Sequence, residues 1–140
     1  MSAITRRVVY LIIYEALAIL FVSLALAGVT GQSAGHTGVV AVASSLVAVT
    51  WNFIFNTLFE AWEARQSVRG RSLKRRMAHA CLFEAGLVVM LVPLFAWWLE
   101  VSLLDALIYD IGLTLFFLAY TFFYNWGFDA IFGLPASARP

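Results

Sequence analysis

One carboxyl group interrupts the run RRVVYLIIYEALAILF, residues 6–21, which is otherwise apolar or aromatic after its two opening arginines. Glu15 lies eight residues beyond Arg7, and at 1.5 Å of helical rise per residue that puts it ~12 Å inward, well inside a hydrocarbon layer ~30 Å thick. Glu84 stands at the same distance beyond Arg76, and Asp110 is a third acid, nearer the opposite side. A charged carboxylate at such depth costs ~3 kcal/mol on insertion scales, so intramembrane acids face a bundle interior or a wet cavity. Desolvation favours the neutral form of such an acid. The group can hold a proton or an organic cation, but holding both would leave excess positive charge in a low-dielectric site. That competition is the chemistry of proton-for-cation exchange. The contrasting role is structural: a buried acid bonded to another helix, for which Arg76 and His79, at the start of Glu84's helix, are candidate partners.

Polar side chains recur on two other helical faces. Ser45, Asn52, Asn56 and Glu60 share one, the last three at four-residue steps; Asp110, Thr114, Thr121, Asn125 and Asp129 share the other. The second stripe covers ~28 Å, nearly the membrane thickness. Such stripes line a polar path or tie helices together by bonds worth ~0.6–2 kcal/mol each. Helix-tying is the reading adopted for Asn56 and Asn125, while Asp110 stays open between the two roles. Among the aromatic residues, Trp62, Trp97 and Trp98 fall where spans end and read as interface anchors. Tyr10, Tyr14 and Trp51 are placed to face a cavity, where a ring face attracts a delocalised cation; packing is their competing role.

The elements that must hold these residues are membrane spans. At 63% apolar and 12% charged residues the chain falls outside the range of soluble domains. Helices are expected over about 8–28, 37–62, 76–99 and 103–131, each with the ~20 residues needed to cross a bilayer. The apolar runs are continuous rather than alternating, which excludes the strands of a membrane barrel. A cleavable signal peptide is disfavoured because its apolar core would be ~7–15 residues, shorter than this first run, and would contain Glu15. The single cysteine, Cys81, reads as a buried apolar residue with no internal disulfide partner.

All nine basic residues lie at the N-terminus, between the second and third spans, or at the C-terminus. The positive-inside rule therefore puts both termini and the central connection in the cytoplasm, with two short turns outside. Sliding the chain against itself by 69 residues, which brings Glu15 onto Glu84, aligns two copies without a gap. Arg6 and Arg7 meet Arg75 and Arg76. FIFNTLFEA (53–61) meets FFYNWGFDA (122–130), matching Asn56 with Asn125, Phe59 with Phe128 and Glu60 with Asp129. Each copy holds two spans, so both enter the membrane in the same direction, as parallel repeats about the membrane normal. The expected organisation is one transmembrane domain over 1–140, with repeat 1 over about 1–69 and repeat 2 over about 70–140. The linker ARQSVRGRSLKRR reads as a topology and lipid head-group element rather than a nucleic-acid contact. Pro93, inside the third span, would free a carbonyl near Val89 and predicts a kink or flexing point.

No phosphate-binding glycine loop, HExxH, Cys/His cluster or Ser-His-Asp arrangement is present. His36 and His79 are expected at opposite ends of the spans, too far apart to share a metal. An enzyme, a metal site and a cofactor are accordingly not expected.

With these residues in place, the chain resembles the proteobacterial antimicrobial compound efflux family, the chlorhexidine-efflux transporters built from a tandem bacterial transmembrane pair. The pattern Arg, two residues, His, three residues, Phe-Glu stands as Arg76, His79, Phe83 and Glu84, with Pro93 following. Its first-copy counterpart is Arg7, Tyr10, Tyr14 and Glu15, where Tyr10 departs from histidine and removes an imidazole relay from that copy. Trp51, Asn52, Asn56, Phe59 and Glu60 match a second pattern; Asp110, Gly112, Thr121, Tyr124, Asn125, Phe128 and Asp129 match the last. The resemblance implies proton-coupled export of cationic amphipathic biocides such as chlorhexidine, and extends to short diamines as natural substrates. It also implies a homodimer, on which the residues themselves are silent, and places the coupling acid in the first helix, at Glu15.

The function expected is that of a four-helix H+/cationic-drug antiporter of the bacterial inner membrane. Glu15 exchanges proton for substrate. Glu84 and Asp110 shape or extend the proton route. Tyr10, Tyr14, Trp51, Asn52, Asn56, Tyr124 and Asn125 line the path or hold helices. Arg7, Arg76, His79, Glu60 and Asp129 mark the cytoplasmic end. Protons, organic cations and lipid are the expected partners. The alternatives are a non-transporting scaffold or accessory subunit whose acids only pair helices, and an ion channel, for which four helices barely provide a wet pore.

Overall fold

The computed structural model describes residues 1–68 and 70–139; Arg69 of the basic linker and Pro140 lie outside them. Four helices follow one another, α1 (Ala3–Thr30), α2 (Ala34–Ala64), α3 (Leu73–Leu99) and α4 (Leu103–Phe132), before a short 3-10 turn at Ala136–Ala138. Each contains its expected span and is long and apolar enough to cross a membrane. The overrun at two starts has a local cause: Ser2 Oγ accepts the Thr5 N–H at 3.1 Å and Ser72 Oγ accepts that of Arg75 at 3.2 Å. The helices thus begin where a hydroxyl can satisfy an otherwise orphan amide, not where the hydrocarbon begins.

The α1–α2 and α3–α4 turns repeat one construction. α1 ends on Gly31 at φ 71° and α3 on Glu100 at φ 55°, both left-handed, with cap N–H groups bonded to Ala27 and Ala96 oxygens. Three-residue turns then lead to Ser33 and Ser102, whose hydroxyls accept the His36 and Asp105 amides at the starts of α2 and α4. Every member of this set recurs after 69 residues. α3 continues through Pro93 to Leu99, so the proline removes one rung of the ladder without ending the helix.

Many large side chains point outward, among them Leu11, Leu46, Phe53, Val89, Leu115 and Phe122. So much exposed apolar surface would be a liability in water, whereas lipid tails are as apolar as the side chains themselves. The chain is a multi-pass membrane protein. Cys81, expected to be buried, is instead exposed on α3; a small thiol on an outward face meets lipid at little cost, so burial is not required of it.

By proximity of backbone, the chain divides into two compact units: Met1–Gly38 with Ile111–Pro140, and Val39–Asp110. The first unit therefore joins α1 to most of α4, and the second joins most of α2 to α3. Neither coincides with a sequence repeat. In the first unit Ala18, Val22, Leu26 and Phe128 form the interior, and Thr37, fully buried, donates its hydroxyl to the Ser23 carbonyl at 2.7 Å. Small residues here let backbones approach: a Cβ on Gly38 would already touch Ser23 Oγ at 3.5 Å. In the second unit Phe55, Phe59, Leu91, Val92, Phe95 and Leu99 are buried, together with Asp110.

Candidate functional site

In the first unit, Arg6, Tyr10 and Tyr14 occupy one face of α1 at four-residue steps, toward α4. The Tyr10 hydroxyl donates to Asn125 Oδ1, and the Tyr14 hydroxyl bonds Thr121 Oγ1 at 2.8 Å. Bonds also run the other way, from α4 side chains to the α1 backbone. Tyr124 donates to the Tyr10 carbonyl at 2.7 Å, and Tyr120 to the Tyr14 carbonyl at 2.8 Å. The rings interlock, with Tyr10 edge-on to Tyr124 at 5.0 Å and to Phe128 at 5.2 Å, and Tyr14 stacked on Tyr120 at 4.9 Å. Glu15, half-buried, follows directly, within electrostatic reach of Tyr120. Near the N-terminal end of α1 the Arg6 guanidinium bonds Asp129 at 2.6 Å and the Gly133 carbonyl at 2.9 Å while lying over Phe128 at 4.9 Å.

The second unit repeats this pattern with other side chains. His79, the counterpart of Tyr10, bonds through Nε2 to Asn56 Oδ1 at 2.7 Å, as Tyr10 bonds Asn125. Asn56 spends its amide hydrogens on Asn52, whose backbone and side-chain oxygens both accept, so its oxygen faces a protonated Nε2. The imidazole is held edge-on to Phe55 at 4.9 Å and Phe59 at 4.7 Å. Trp51, the counterpart of Tyr120, donates Nε1–H to the Phe83 carbonyl at 3.0 Å. Phe83 immediately precedes Glu84, as Tyr14 precedes Glu15. Glu84 is half-buried, and Asp110, only 5% exposed, lies within its electrostatic reach.

Several expected site residues fall elsewhere. Arg7 and Arg76 are exposed, and it is Arg6 and Arg75 that turn inward. The reason is the helical period: Arg7 lies ~100° around the helix from Arg6 and off the Tyr10–Tyr14 face. Glu60, matched to Asp129 in the alignment, is exposed, and the ion pairs form on Glu63 instead, with Arg71 at 3.0 Å and Arg75 at 3.8 Å. Hydrogen bonding to that carboxylate raises the Arg71 guanidinium above its ordinary value. His79, a candidate partner for Glu84, is engaged by Asn56. Asn52 is exposed and serves Asn56, while Asn125 and Asn56 both bond across to the facing helix of their own unit. Sequence reasoning passed over two site residues, Tyr120 and Gly86, the latter so close to Trp51 that a Cβ on it would lie 2.6 Å from the indole Cε2. Tyr120 was within reach, since the 69-residue offset carries Trp51 onto it.

Comparison with known proteins follows the same division as the repeat. A family model described as chlorhexidine efflux transporter matches residues 2–65 and again 71–134. Those two matches stand 69 residues apart, as the two copies do. The chain is similar to a "Short-chain diamines transporter" of Acinetobacter baumannii, 37% identical over 126 residues, covering 90% of this chain and 87% of that one. It is similar to proteins of the same description in Acinetobacter baylyi, 41% identical over 83 residues, and in Vibrio parahaemolyticus, 39% over 83. Each of those two matches covers 59% of this chain, and they span 58% and 59% of the respective relatives. No solved structure matches the chain.

Proposed function

This chain belongs to the chlorhexidine efflux transporter family, and from that premise we propose that it is a proton-coupled antiporter of the bacterial inner membrane, exporting organic cations in exchange for protons through Glu15. Short aliphatic diamines and amphipathic biocides such as chlorhexidine are its substrate classes. The first rests on what the relatives are called, the second on the family description.

The observation that carries the reading is the setting of Glu15: an ionisable group deep in an apolar helix, half-buried, directly after Tyr14, whose ring packs on Tyr120 and Tyr124, and within electrostatic reach of Tyr120. Aromatic faces attract cations, and a carboxylate in low dielectric neutralises one positive charge at a time. Proton and substrate therefore displace one another, and an inward proton gradient drives the cation outward. Glu84 and Asp110 supply further carboxyl groups at membrane depth and extend the proton route. Both termini and the basic linker face the cytoplasm, in keeping with the positive-inside rule.

The test is transport in proteoliposomes with an imposed pH gradient. Adding a diamine or a biscationic biocide should move protons, and Glu15→Gln should abolish that movement while the protein stays folded. Normal exchange by the Gln variant would make Glu15 structural, and no exchange by the wild-type protein would favour a scaffold. Current without substrate would indicate a channel.

A further inference from the structure

The same backbone oxygen is occupied in both units. Tyr120 donates to the carbonyl of Tyr14, and Trp51, 69 residues earlier, donates to the carbonyl of Phe83. In each case the accepting residue is the one before the membrane acid. A peptide group is planar, so the carbonyl of residue 14 and the N–H of Glu15 belong to one rigid plate, as do the carbonyl of residue 83 and the N–H of Glu84. A donor that grips the oxygen therefore orients the plate from which the acid's Cα hangs. Within a helix that oxygen already receives the amide four residues on, and the side chain takes its second lone pair.

Resting on the antiport reading, we propose that Tyr120 and Trp51 are positioning residues for Glu15 and Glu84, acting through these two peptide groups. Ring packing alone would be met by phenylalanine at either position, yet both carry a donor, one a phenol and the other an indole. One turn along the helix the donor is not repeated: Tyr124 bonds the Tyr10 carbonyl, but its counterpart is Phe55, which has nothing to donate. What both units share is the bond beside the acid. The space for the larger indole comes from a matched exchange. A Cβ on Gly86 would lie 2.6 Å from Trp51 Cε2, and the counterpart of Gly86 in the first unit, whose donor is the smaller Tyr120, is Leu17.

Infrared titration of the full-length protein in detergent tests this without substrate. The carboxyl stretch lost in Glu15→Gln identifies Glu15, and the one lost in Glu84→Gln identifies Glu84. Tyr120→Phe should shift the frequency of the Glu15 carboxyl band. Trp51→Phe should do the same to the Glu84 band. Tyr120→Trp combined with Leu17→Gly, which rebuilds the second unit's donor in the first, should return the Glu15 band toward wild type. Glu15 and Glu84 bands unmoved in well-folded Tyr120→Phe and Trp51→Phe would overturn the proposal. If the bands move while Glu15→Gln still exchanges protons for diamine in vesicles, positioning stands and the assignment of coupling to Glu15 falls; if the bands move and the wild-type protein exchanges nothing, positioning stands and the antiport reading falls.

Discussion

Residues 10 and 79 occupy equivalent places in the two copies and carry different chemistry, a phenol and an imidazole, yet each bonds the asparagine of its facing helix. What the repeat keeps at this point is a polar bond across two membrane helices, where an unpaired donor would be costly. Trp51 and Gly86, matched by Tyr120 and Leu17, keep a bond in the same way while trading volume between partners. Gly86→Ala should consequently push the indole off its carbonyl and destabilise the protein by ~1–3 kcal/mol, the usual cost of overpacking. Thermal unfolding in detergent measures this. Adding Trp51→Phe to Gly86→Ala should cost less than the two single changes together, because the smaller ring leaves room for the methyl.

The C-terminal ends of α1 and α3 are terminated alike, by a left-handed residue and then a serine that caps the next helix. Only the first copy uses glycine for the left-handed position; the second uses Glu100, where an L side chain meets its own carbonyl. Gly31→Ala should therefore destabilise by ~1–2 kcal/mol. Glu100→Gly should be neutral to stabilising by up to ~1 kcal/mol, since relief of that contact is partly offset by the chain entropy glycine adds to the unfolded state. Paired melting curves for the two variants distinguish this from a general sensitivity of the turns, which would lower both.

The whole molecule is a duplicated hairpin whose compact units are assembled across the copies, α1 with α4 and α2 with α3. The orientation expected of it rests on charge: basic residues gather at the two termini and the central linker, and none lies in the turns at residues 31–33 and 100–102. With the exposed Cys81 replaced by serine, Ser67→Cys and Ser137→Cys should react with a membrane-impermeant thiol reagent only from the cytoplasmic side. Gly35→Cys and Leu103→Cys should react only from outside. A Cβ added at Gly35 would meet no atom within 4 Å and Leu103 is 64% exposed, so neither substitution disturbs packing. Labelling of all four from one side would overturn the topology.

The amino-acid sequence by itself determined four spans, each lying within one helix, the 69-residue duplication and Glu15 as the group that must be explained. These depend on hydrophobicity, helical period and composition, which are properties of single segments. Tertiary structure alone decided that Arg6 rather than Arg7 turns inward to Asp129, that Glu63 rather than Glu60 carries the ion pairs, and that Tyr120 and Trp51 reach the peptides beside the acids. Which helix faces which is written in small residues and a few polar bonds, because lipid offers apolar side chains no reason to prefer one another. A pattern of greasy and polar letters therefore marks each helix clearly and its partner hardly at all.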